Sequence, residues 1–159
     1  MGGYWGWRGH RWLALIIRLY LAGIFLVAWY GKVRDPGLFG LQVAAYQILP
    51  VWAIKVVVVL LPLLELTLAV LLIVGMWVRS AAALIGALLL VFMLAAVIAM
   101  AKGLELSCGC FSGAEEPLAW DTLARDGGWL LLATYVVAVD REPLGLLDYL
   151  RRRWGIASE

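Results

Sequence analysis

Long apolar runs alternate with short polar breaks along this chain, and the lengths of the runs set the first constraint. A helix that crosses a bilayer needs about 20 mainly apolar residues. Residues 12–30 meet that length with Arg18 inside, and "GKVRDPG" at 31–37 ends the run with charges, glycines and a proline. The stretch 38–50, "LFGLQVAAYQILP", is apolar but too short to cross, which predicts an interfacial or re-entrant helix. A second span is expected over 51–78, with Lys55 near its start and Pro62 and Glu65 within it. After the short break at Arg79-Ser80 a third span occupies 80–101, rich in the Ala and Gly that let helices approach closely. The fourth, 120–140, is less uniform. Its apolar part, 127–139, makes about 20 Å of helix against a hydrocarbon core of about 30 Å, so "AWDTLARD" at 119–126 is expected to begin the helix in the interface. Residues 143–154 place Leu144, Leu147, Leu150 and Trp154 near one helical face beside three arginines, the pattern of a surface-lying amphipathic helix. The expectation is an all-α integral membrane protein: one membrane domain over 1–159, built as a four-helix transmembrane bundle with short interfacial helices.

Composition agrees. Apolar residues make up 65% of the chain and charged residues 15%, against roughly half apolar in a soluble domain. Nine Trp and six Tyr suit residues at headgroup level. The basic run before residue 12 resembles a signal peptide, but the apolar stretch is long enough to span and no cleavage signal leads into a polar domain, so it is read as a retained span. No nucleic-acid motif, P-loop or His cluster is present.

Four crossings place Arg8, Arg11, Arg79, Arg141, Arg151, Arg152 and Arg153 on one side. Lys32, Arg34, Lys55, Lys102 and Arg125 fall on the other, mixed with acidic residues. Basic flanks belong in the cytoplasm. Both termini are therefore expected in the cytoplasm of a bacterial inner membrane, with the connection after the third span outside, in the periplasm.

That connection holds both cysteines of the chain, Cys108 and Cys110, in "ELSCGCFSG". On the oxidising side neighbouring thiols form and keep a disulfide. Cysteines at i and i+2 reach bridging distance only if the backbone bends, and Gly109 supplies that freedom. Such a ring closes almost no loop and stabilises little, so the expected property is a labile, exchange-competent bond. Two other readings stand beside it: small buried apolar residues, and a soft-metal site for Cu(I) with Met93 and Met100 near in sequence.

The ordered set "GIFLVAWYGKVRDPGLF", "YQILP", "PLLELTLAVLLIVG" and "CGCFSG" resembles the MauE/DoxX-like family of redox-associated membrane proteins over about residues 15–140. The matching positions are Lys32, Asp35, Pro36, Pro50, Glu65, Cys108, Cys110 and Phe111. Ser112 departs from the pattern, standing where a glycine usually follows the phenylalanine. The resemblance implies a four-helix membrane protein linked to periplasmic disulfide handling, with thioredoxin-like partners and, in methylamine utilisation, maturation of a disulfide-rich subunit.

Among the isolated charges, Glu65 lies deep in the second span, three residues after Pro62. An ionisable group at that depth is a functional hypothesis in itself. It serves a hydrogen-bond hub, a cation partner or a proton acceptor, with the hub favoured. Arg18 snorkels to the cytoplasmic interface or reaches toward Glu65, from which its estimated depth differs by roughly 10 Å. Lys32 and Asp35 belong to the outer face with the cysteines, where Lys32 either anchors at the interface or favours a thiolate. Trp29, Tyr30, Trp120 and Trp129 are read as belt residues, with a quinone slot as the rival role.

Together these features predict a membrane thiol–disulfide oxidoreductase or redox relay acting on Cys108 and Cys110, with Gly109, Phe111, Glu65, Lys32 and Asp35 in support. The expected partner is a thioredoxin-like or other periplasmic redox protein, and a quinone is the cofactor to be considered. Two alternatives come from other classes: a non-catalytic anchor or accessory subunit of a larger respiratory or redox complex, and a Cu(I)-handling membrane protein.

Overall fold

A computed structural model describes residues 8–103 and 120–139. Cys108, Gly109, Cys110 and Phe111, and the amphipathic segment 143–154, lie outside the described residues. The described chain is all-helical: α1 (Arg8–Arg34), α2 (Pro36–Ala45), α3 (Val51–Val74), α4 (Val78–Ala101) and α5 (Trp120–Val139).

Local chemistry sets the boundaries. Asp35 precedes a proline, which disfavours helical backbone at that residue, and it sits at φ −137°, ψ 81°, ending α1. The same residue then caps α2: its Oδ1 accepts from the Leu38 N–H at 2.8 Å, with Pro36 in the first turn. The expected second span to residue 78 is shorter as a helix. Gly75, at φ +83°, takes the left-handed conformation and closes α3 through its N–H to the Leu71 carbonyl at 3.0 Å. Trp77, also left-handed at φ +48°, turns the chain into α4.

Three of these helices, Trp12–Arg34 within α1, Val51–Val74 and Val78–Ala101, are long and apolar enough to cross a membrane. α5 is not among them, because Asp121, Arg125 and Asp126 crowd its first two turns.

α1 packs against α3 and α5, and α4 packs against α5 and α3. Each helix contributes a stripe at helical spacing. On α1 it runs Ala14, Arg18, Leu21, Ala22, Phe25, Ala28, Lys32; on α3, Leu61, Glu65, Leu68, Ala69, Leu72; on α4, Val78, Ala81, Ala82, Ile85, Leu89. Apart from Ala14, Ala28 and Leu61, their apolar members form one core with Ala133 and Val136 of α5. The alanines let the backbones approach, and packing rather than hydrophobic transfer holds such helices together in lipid.

α4 and α5 run antiparallel over their shared length. Val137 O accepts from Arg79 Nε at 3.0 Å at one end, and Met93 lies beside Gly127 further along. α2 packs along the first turns of α3, where a Cβ on Gly40 would stand 3.5 Å from Val58 Cγ2. Lys102, at the end of α4, donates to the Gln47 carbonyl at 3.4 Å, so the α2–α3 connection and the end of α4 share one end of the bundle.

Candidate functional site: a buried ion pair beneath an apolar cavity

Lys32 and Glu65 meet inside the bundle. Lys32 Nζ lies 2.7 Å from Glu65 Oε1, with the side chains 4% and 2% exposed. The ammonium also makes a long contact, 3.5 Å, to the Ala28 carbonyl and sits 5.5 Å from the centre of the Phe39 ring of α2. The second carboxylate oxygen, Oε2, is buried and accepts no hydrogen bond.

Placement of this pair follows from helix lengths. Glu65 is about 21 Å of helix below Val51. The chain from Lys32 climbs through α2, turns, and descends α3, and that excursion brings Lys32 opposite Glu65 rather than to the rim. Lys32, expected on the outer side of the membrane as an interfacial anchor or a charge favouring a thiolate, is buried within the bundle at the foot of α2. Asp35 is exposed and acts as the α2 cap. Arg18 occupies the same buried stripe as Lys32, about 21 Å of helix away, and is 1% exposed.

Above the ion pair, α3 and α4 part. Between them lies a cavity of about 710 Å³ bounded by α2, α3 and α4. Lys32 from α1 and Thr122 and Asp126 from α5 also line it. Asp126, expected among the outer charges, is buried. Its Oδ1 accepts no hydrogen bond and lies 3.6 Å from Arg125 Nε, whose guanidinium stacks 5.0 Å from the Trp129 ring centre. Sequence reasoning missed Asp126 and Thr122. Their signal is the spacing of Thr122, Leu123, Asp126, Ala133 and Val136 along one face of α5. Among the described residues no group of three or more His, Cys, Asp or Glu converges to hold a metal ion.

The described part is thus a helical membrane protein with an apolar cleft lined by a few buried polar groups, Lys32, Thr122 and Asp126. The family model for "Methylamine utilisation protein MauE" matches residues 10–139, and the chain belongs to that family. It is 34% identical over 125 residues to the methylamine utilization protein MauE of Paracoccus denitrificans, a match covering 77% of this chain and 66% of the relative's length, just short of two thirds. No solved structure matches.

Proposed function

We propose that the chain is a membrane thiol–disulfide oxidoreductase or redox relay working through Cys108 and Cys110. In this reading it sits in a bacterial inner membrane with both termini cytoplasmic, α5 is the fourth crossing, and the 104–119 connection faces the periplasm. The observation that carries the reading is positional. Both thiols of the chain, one residue apart, stand in the sequence between the end of α4, where Lys102 meets Gln47, and the start of α5. The pairing of α5 with α4 along its length supports a fourth crossing.

The chemistry is exchange. A thiolate of a thioredoxin-like partner attacks one sulfur of the Cys108–Cys110 disulfide, forming a mixed disulfide and releasing the other sulfur as thiolate. A second partner thiol then attacks the mixed bond, leaving the partner oxidised and the pair reduced. The methylamine utilisation role in the relative's name makes proteins of that process the first partners to try.

Cysteine-to-serine variants test this. With the partner's second cysteine changed to serine, the wild-type chain should trap a mixed disulfide on a non-reducing gel, and the Cys108→Ser/Cys110→Ser double variant should trap none. Partner oxidation unchanged in both single variants would falsify the reading. Co-purification in fixed stoichiometry with a larger complex, with thiols that never turn over, supports the accessory-subunit role instead.

A further inference from the structure

The cavity between α3 and α4 plays no part in the exchange step, yet it has the features of a ligand site. Its volume of about 710 Å³ falls within the roughly 300–1,000 Å³ of small-molecule pockets. Its walls are mostly apolar, with Leu60, Leu64, Val91 and Phe92 facing one another across the cleft. Leu60 and Val91 are also exposed on the outside of the bundle, so the cavity opens toward the hydrocarbon.

Buried polar groups line it from two sides. Lys32 offers three N–H donors, of which Glu65 takes one and the Ala28 contact is long. Asp126 lines the cavity, and its buried Oδ1 accepts no hydrogen bond, with Arg125 Nε 3.6 Å away as an ion-pair partner beyond hydrogen-bond distance. An unsatisfied buried acceptor is costly, so a ligand that donates to it gains more than an ordinary hydrogen bond.

The occupant these walls specify has an apolar tail and a compact polar head that both accepts and donates. A phospholipid acyl chain satisfies the apolar wall and leaves that oxygen without a hydrogen-bond donor. A long-chain quinone satisfies both, because its carbonyl accepts when oxidised and its hydroxyl donates when reduced. We propose that this cavity binds the head of a membrane quinone, with Lys32 donating to a carbonyl of the oxidised form and Asp126 accepting from a hydroxyl of the quinol.

The inference deepens the proposed function and rests on it for the redox step alone. There, two thiols give up two electrons and two protons to become a disulfide, and the quinone takes both pairs to become the quinol. Binding stands on the cavity.

The test is photolabelling of the purified full chain in detergent with an azido-quinone, competed by decylubiquinone or decylubiquinol. Label is expected on α3 and α4 at the cleft, displaced by either competitor. Asp126→Asn should weaken competition by the quinol about tenfold and by the quinone much less, a split that misfolding does not produce. Ala95→Trp, which fills the cleft, should lower labelling by a similar factor. The Cys108→Ser/Cys110→Ser protein should label like the wild type. Labelling retained while partner exchange fails keeps the site and removes the thiol reading; intact exchange without labelling does the reverse. Label scattered over all helices, a co-purified phospholipid that neither competitor displaces, or equal weakening of both redox forms by Asp126→Asn overturns the proposal.

Discussion

At the scale of single residues, the Lys32–Glu65 pair is a costly arrangement in the described core. Two charges taken from water into an apolar bundle lose several kcal/mol of hydration each, which their attraction recovers only with close geometry; 2.7 Å supplies it. The pair therefore contributes modestly as a unit but penalises the loss of either member. Glu65→Leu or Lys32→Met alone should each cost about 3–5 kcal/mol, by leaving a buried charge uncompensated. The double variant should recover most of that loss. Unfolding of the four proteins in mixed micelles measures the coupling, and additive single losses would show that the two residues do not act together.

At the scale of elements, the junction between α1 and α2 does the positioning. Asp35-Pro36 stops α1 two residues past Lys32 and restarts the chain as α2, whose Phe39 is buried against the Lys32 ammonium. Asp35 belongs to the family resemblance, and the structure gives it a local task. Asp35→Ala should destabilise the protein by about 1 kcal/mol through loss of the cap, while Asp35→Asn retains nearly all of it. The same micelle unfolding measures this, and an unchanged midpoint for the alanine variant removes the capping account. At the other end of α3, the left-handed Gly75 permits a very short link to α4, which holds these helices together at one end while they part at the other.

For the whole molecule, orientation in the bilayer decides what the chemistry can be. The excess of arginines at the termini and at Arg79 predicts cytoplasmic ends and an outer 104–119 connection. A membrane-impermeant maleimide should label Cys108 and Cys110 in intact cells after reduction. Labelling only in permeabilised cells inverts the topology and places the thiols in a reducing compartment, where a standing disulfide does not persist.

The chain's own order of residues determined the helical class, because a run of about 20 apolar residues has no other stable state in lipid than a helix that satisfies its own backbone. It also determined the break at Asp35-Pro36 and the placing of both cysteines in the one connection, since these depend on neighbours in the chain. Only the tertiary structure decided where the charges went. Lys32 read as an interfacial anchor or a thiolate-favouring charge because its depth depends on how far α2 climbs before α3 descends, and no local pattern encodes that length. Asp126 looked like a surface charge for the same reason: burial belongs to the face a helix turns inward and to the neighbours it meets there. The cavity is bounded by α2, α3 and α4 with residues of α1 and α5, so it arises from the packing of all the helices at once.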